Sequence, residues 1–213
     1  IGRRFSLFSL AMNQKKIWNK IAKSWSDYRK VKVLQVVQFL EDKKGKILDL
    51  GCGSGRNFIK STNYKIYGID FSSEMVRLAK KYSKEKKIGA IIKKAEVYST
   101  GYNDDFFDAV VFNAVLHCLE TEEKRKATLV ELFRVLKPNG EAIVSVWGKK
   151  QTRVKNKSKK CNVSWTVGEK KYGRSCYIYS IFELEKLLKN VGFEIVKSWE
   201  DNNVNFIVRK PSS

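Results

Sequence analysis

The stretch Ile47-Leu48-Asp49-Leu50-Gly51-Cys52-Gly53-Ser54-Gly55-Arg56-Asn57 constrains this chain more than any other. An apolar run, the signature of a buried strand, leads straight into three glycines at every second position. Glycine accepts left-handed backbone without cost and lets a ligand lie against the main chain with no side chain between them. The spacing is GxGxG, not the GxGxxG of a dinucleotide fold, whose third glycine serves the helix–strand contact. The acid Asp49 ahead of the first glycine suits a cationic ligand better than a pyrophosphate. A short helix is expected after the loop.

Around this stretch, strand and helix patterns alternate. Ile17, Ile21 and Trp25, then Val33, Val36, Val37 and Leu40, recur at helical spacing and predict two N-terminal helices within 14–41, broken near 26–29. Strands are expected at 64–70, 88–93, 107–113 and 141–147. Ser72 or Ser73 caps a helix reaching Tyr82, and a helix from about Glu122 is stopped at Lys137-Pro138-Asn139-Gly140. Five alternations require a parallel sheet with right-handed crossovers. After a helix at 182–190, strands at 192–196 and 204–208 read as a hairpin. The expected fold is α/β and Rossmann-like: a seven-stranded, mostly parallel sheet with one antiparallel strand and helices on both faces. A length of 213 residues suits one such domain, expected over 12–213, with 1–11 read as an extension ahead of Met12.

Position then selects candidate site residues. Asp70 follows Gly51 by 19 residues and ends the second strand, where a carboxylate can accept both hydroxyls of a ribose. In Ala95-Glu96-Val97, after the third strand, the glutamate can accept from an adenine amino group. Asn113 ends the fourth strand as a pocket wall or a simple strand-end polar residue, and His117 follows it.

Charge adds a second theme. Lys and Arg number 43 against 22 acids, a net charge of +21 that would draw polyanions. Between 149 and 174 stand ten Lys/Arg and the single acid Glu169, with Trp165, Tyr172, Tyr177 and Tyr179 in or just after the segment. Residues 1–36 carry nine basic residues against Asp27. Cations interleaved with aromatic rings suit a single-stranded nucleic acid, phosphates meeting the cations and bases stacking on the rings; a solvated basic loop is the plainer reading of the insert 148–178. Cys52, Cys118, Cys161 and Cys176 form no CxxC pair, so neither a metal site nor a disulfide framework is expected, and reduced thiols fit a cytoplasmic protein. No apolar run approaches membrane-spanning length.

The glycine loop with Asp70 and Glu96 resembles the cofactor half of class I S-adenosylmethionine-dependent methyltransferases. Four stretches narrow the resemblance to the tRNA carboxymethyluridine methyltransferases, which methylate a carboxymethyl group on the wobble uridine. They are Trp18 to Arg29; Asp49 to Arg56; Ala114 to Arg125 with Arg134-Val-Leu-Lys-Pro-Asn-Gly140 and Val146-Trp147; and Arg174-Ser-Cys-Tyr177-Ile-Tyr179. The family's RYYHLF reads differently at this last place, without its histidine.

The resemblance implies S-adenosyl-L-methionine as cofactor, held by Asp49, Gly51, Cys52, Gly53 and Gly55, by Asp70, Phe71 and Met75, by Ala95, Glu96 and Val97, and by Asn113 and Val115. It implies Arg29 and His117 as catalytic residues and Trp165, Arg174 and Tyr177 as RNA contacts, with tRNA rather than DNA as partner. It also implies a small zinc-binding activator subunit on the sheet edge and no membrane. A carboxylate acceptor, with a reference pKa near 4, is ionised at neutral pH and needs no general base, in keeping with a chain of one histidine. Two other readings stay open: a small-molecule methyltransferase acting on a quinone, sterol or carboxylic acid, and an RNA-binding module without catalysis.

Overall fold

The computed structural model describes residues 13–212; the expected extension 1–11 lies outside them. Two helices, α1 (Gln14–Tyr28) and α2 (Leu34–Leu40), precede β1 (Gly45–Leu50). Then come β2 (Tyr64–Asp70), α3 (Ser73–Glu85), β3 (Ile91–Lys94), β4 (Phe107–Asn113), α4 (Glu122–Val135) and β5 (Leu136–Trp147). A two-stranded ribbon, β6 (Lys160–Val167) and β7 (Lys170–Tyr177), leads to α5 (Ile181–Val191), β8 (Glu194–Glu200) and β9 (Asn203–Arg209).

The main sheet has seven strands in the order β3-β2-β1-β4-β5-β9-β8, and only β9 runs antiparallel to its neighbours. The expected architecture is the one observed. Strand order reverses between β1 and β4. Connections there leave the sheet to opposite sides and open a crevice beyond the strand carboxyl ends. Alternation along the central strands supplies both cores. Ile47, Ala109 and Val111 pack with Val36, Phe39 and Leu40 of α2, whereas Leu48, Val110 and Phe112 face Leu129, Leu132, Leu184 and Leu188 of α4 and α5.

Caps fix the helix starts. Ser72, Thr121 and Ser180 each accept from a backbone N–H three residues on, and α5 stops on Gly192 at φ 110°.

Three local expectations are corrected. No helix follows the glycine loop: Gly51, Gly53 and Gly55 have φ of 80°, 53° and 81°, and three left-handed residues in five prevent a right-handed helical start. The N-terminal break falls after Tyr28, with α1 continuous through 26–28. The basic insert, for which no strands were expected, holds two. Its strands pair from Lys160↔Tyr177 to Val167↔Lys170 around Gly168 at φ 57°. Polar residues on both faces of this ribbon conceal the period-two signal of a strand.

Among the described residues no helix is long and apolar enough to cross a membrane.

Candidate functional site

A cavity of about 390 Å³ opens at the crevice beyond β1 and β4. Its floor is built from strand ends. Asp49, Gly51 and Gly53 from β1 and its loop, Asp70 ending β2 and Phe71 after it, Met75 on α3, and Glu96 and Val97 after β3 all line it.

The glycines divide their work. A Cβ on Gly51 would stand 2.5 Å from Val115 Cγ2, so the loop and the turn after β4 close on each other there. A Cβ on Gly53 would find only Met75 Sδ, at 3.9 Å, which leaves this stretch of backbone open to a ligand. Gly55 does not line the cavity; a Cβ there would meet Phe58 at 2.8 Å, so at this position the loop packs on that ring.

Two buried carboxylates face this floor. Asp70 accepts from Gly53 N–H and Ser72 N–H, each at 2.9 Å, one bond to each oxygen. Each oxygen keeps further acceptor capacity for a ligand hydroxyl. Burial raises its pKa to about 6 against those bonds. Asp49 is buried with Oδ2 unpartnered in the protein, and burial pushes it up to about 7 although Arg56 opposes the rise. An orphaned buried carboxylate calls for a cation. Ala95 lies beside the cavity without lining it, its N–H donating to Asp70 O at 3.1 Å.

The roof is chemically opposite. Trp18, Trp25 and Arg29 of the α1 region, Asn113, Val115 and His117 after β4, Trp147 ending β5 and Arg174 of β7 line it. Arg174 is 3% exposed, and its guanidinium lies 4.7 Å from the Trp25 ring, 5.5 Å from Trp18 and 5.8 Å from Trp147. Its Nε and Nη2 have no hydrogen-bond partner in the protein, nor does Nε of Arg29. Burial, then Arg56, Arg153 and Arg174, lower Arg29 to about 10, so it stays charged at neutral pH.

His117 is buried and stacks on Trp147 at 4.8 Å, and Trp147 N–H donates to its Nδ1 at 3.4 Å. The ring proton therefore sits on Nε2, and burial beside Arg174 and Arg29 lowers the pKa to about 3. Such a ring is a hydrogen-bond donor and a poor proton acceptor at neutral pH.

Helix α1 is fastened over the cavity at its first residue and again between one and two turns further on. Gln14 donates to Gly173 O at 3.4 Å and accepts from Ser175 N–H at 3.3 Å, while Asn19 accepts from Ser72 Oγ at 2.6 Å. Two expected RNA contacts lie outside the cavity. Trp165 packs at 4.7 Å on Trp25, one ring behind the lining, and Tyr177 bonds Glu183 under the Arg125 guanidinium at 4.2 Å. Arg56, Trp18, Trp25 and Trp147 were not singled out as site residues by sequence reasoning; their membership in the resembling stretches was the available signal.

Residues 48–144 match a family model described as a methyltransferase domain. The chain is 32% identical over 138 residues to a tRNA (carboxymethyluridine(34)-5-O)-methyltransferase of Arabidopsis thaliana. That match takes in 64% of this chain and 33% of the relative, so the chain spans about a third of it. The uncharacterized protein MJ1252 of Methanocaldococcus jannaschii is 30% identical over 91% of this chain and 81% of its own length.

Among solved structures, a SAM-dependent methyltransferase from Methanosarcina mazei superimposes with a TM-score of 0.69 at 24% identity, covering 86% of this chain and all of that one. A Haloferax volcanii methyltransferase, solved in complex with the Trm112 activator, gives 0.68 at 16% identity over 91% and 97%.

Residues 48–144 form a methyltransferase domain, on the fold of the class I, S-adenosylmethionine-dependent methyltransferases. In sequence the chain is similar to relatives named as tRNA carboxymethyluridine methyltransferases.

Proposed function

We propose that the enzyme transfers a methyl group to the carboxylate of a carboxymethyl group on a tRNA wobble uridine, giving the methyl ester. One observation carries this reading: the acceptor wall sets the buried guanidinium of Arg174, its Nε and Nη2 unpartnered, beside His117, whose Nδ1 is already taken by Trp147 N–H. That is a receptacle for an anion that arrives already ionised.

S-adenosylmethionine supplies a methyl group bonded to a positively charged sulfur, and the floor fits it. Asp49 is suited to its ammonium group, Asp70 to the ribose hydroxyls, Glu96 to the adenine amino group, and the open backbone at Gly53 to close approach. On the roof, Arg174 and Nε2–H of His117 hold and orient the acceptor carboxylate. Arg29, reaching from the roof, and Arg56, close to Asp49, suit the cofactor's own carboxylate.

None of these arginines acts as acid or base. The task of Arg174 and His117 is to align a carboxylate oxygen with the methyl carbon, and positioning of this kind supplies about 7 kcal/mol in favourable cases. The aromatic walls exclude water, which strengthens the attraction for the carboxylate.

In the same reading an activator subunit of the Trm112 kind covers the short edge strand β3, where Ile91 is 44% exposed. The protein works in the cytoplasm, where it meets tRNA.

The flat, Trp-lined acceptor wall also fits an aromatic carboxylic acid, which makes a small-molecule methyltransferase the second reading. Methyl transfer from labelled S-adenosylmethionine to bulk tRNA, followed by mild alkali, separates the two. Alkali-labile label on tRNA is the expected result. Alkali-stable label moves the chemistry to a ring or ribose atom. Labelling of a small carboxylic acid alone, with none on tRNA in the presence of an activator subunit, overturns the reading.

A further inference from the structure

The cavity does not end at its own lining. Trp25, which lines it, packs at 4.7 Å on Trp165, and Trp165 packs edge-on at 5.4 Å against Tyr28. Three rings thus run from the acceptor wall to solvent. Trp165 is pinned in this row, its Nε1–H donating to Ser24 Oγ at 3.2 Å. Tyr28 closes α1 and is 65% exposed, a large ring left facing water. The guanidinium of Arg153 stands 5.8 Å from both the Tyr28 and Trp165 rings.

Here the two basic segments meet: α1 packs against the β6–β7 ribbon, and exposed Lys30 follows Tyr28 by two residues just as exposed Lys155 follows Arg153 by two. The local acid, Asp27, is paired with Lys23.

We propose that Tyr28, backed by Trp165 and flanked by Arg153, is a stacking ledge for the nucleotide next to the one held in the cavity, on a single-stranded stretch of RNA. This rests on the tRNA reading and specifies where the strand leaves the site. An exposed ring stacks on any base, and an arginine beside it can meet the adjoining phosphate. The ledge therefore recognises single-strandedness, not sequence.

The test is anisotropy of a fluorescent anticodon stem-loop of unmodified sequence, bound to the full chain saturated with S-adenosylhomocysteine. Loss of base–aromatic stacking in Tyr28→Ala should weaken binding about 5- to 100-fold, with Tyr28→Phe and Tyr28→Trp restoring it. Arg153→Gln should lower the slope of log affinity against log salt by about 1. Cofactor affinity of all four variants should match the wild type.

Equal stem-loop affinity of Tyr28→Ala and wild type overturns the ledge while leaving the tRNA reading intact, and would reassign the exposed ring to a protein partner. Failure of Tyr28→Phe to rescue, together with a lowered melting temperature, would make Tyr28 structural and also overturn it. A wild type that binds no stem-loop at low salt overturns both.

Discussion

The floor and the roof of this cavity are made in opposite ways. The floor is local: Asp49, Gly51 and Gly53 lie within five consecutive residues of one strand end and its loop, and Asp70 ends the neighbouring strand. It is acidic, backbone-lined and held by the hydrogen bonds of the sheet. The roof is assembled from α1, the turn after β4, the end of β5 and the ribbon, segments up to 156 residues apart between Trp18 and Arg174. It is aromatic and cationic, and it is held by ring packing and a few long-range bonds. The contrast teaches that a cofactor site can be fixed once by the sheet, while the acceptor site is supplied by appended elements that can change independently.

Removal of Asp70 attacks the floor and has the largest expected effect. Asp70→Ala should weaken S-adenosylhomocysteine binding by on the order of 100-fold or more, since charge-assisted bonds to a ligand are lost and Gly53 N–H loses its acceptor. Calorimetric titration reads it directly. An affinity within a few-fold of wild type would mean that the floor is not the cofactor site.

Arg174→Met attacks the roof. Its side chain approximates the volume of the stem but leaves the acceptor without its charge partner. The kcat/KM for tRNA should fall on the order of 100-fold, the scale for removing one member of a buried charge pair. Cofactor affinity should change by less than about 3-fold, a figure that treats sites without shared partners as independent. Equal losses on both ligands would erase the distinction between the walls.

The same contrast explains what the sequence could tell. The seven-stranded sheet, its one antiparallel strand in the closing hairpin and the floor carboxylates were legible because each follows from short-range patterns: an apolar run, a polar turn between two strands, an acid at a strand end. That Gly55 lies outside the cavity lining had no signal, since alternation with Gly51 and Gly53 says nothing of Phe58, whose ring a Cβ there would meet. The ribbon was hidden by its two polar faces. Burial of Arg174 had no local signal at all, since a basic residue in a basic segment reads as solvated until Trp18, Trp25 and Trp147 are known to surround it. Tyr177, from the same segment, faces away from the cavity because consecutive strand positions alternate, and it lies an odd number of residues from Arg174.

The walls should also separate by pH. Asp49 and Asp70 bind a proton more tightly in the folded protein than their ordinary value of 3.8 allows, at about 7 and about 6. Between pH 4 and 7 the folded state thus holds more protons at these sites than the unfolded chain, so their contribution makes the free protein less stable as pH rises. A cationic ligand reverses the trend by favouring the ionised carboxylates. Cofactor affinity should increase about tenfold from pH 6 to pH 8 through Asp49, and Asp49→Asn should flatten the profile. On the roof His117, lowered to about 3, stays neutral throughout that range and should add no inflection to kcat. A kcat inflection near pH 6.5 that disappears in His117→Gln would contradict the donor role.

The smallest expected effect tests whether the walls are joined. Lys32, in the connection between α1 and α2, donates from Nζ to Phe58 O at 2.8 Å, Tyr82 hydroxyl at 3.0 Å and Arg56 O at 3.3 Å. One residue on, Val33 N–H donates to Asn57 Oδ1 at 3.3 Å. A roof element is thereby bolted to the backbone of the cofactor loop. Lys32→Met keeps the apolar stem and removes the donors, and should cost roughly 2 kcal/mol of stability, the scale of hydrogen bonds from a charged group. If the bolt also transmits position, cofactor and tRNA affinities should fall together by a few-fold, unlike the selective losses expected for Asp70→Ala and Arg174→Met. If stability alone falls, the connection holds the roof down without linking the two ligands, and the walls are as independent in energy as they are in sequence.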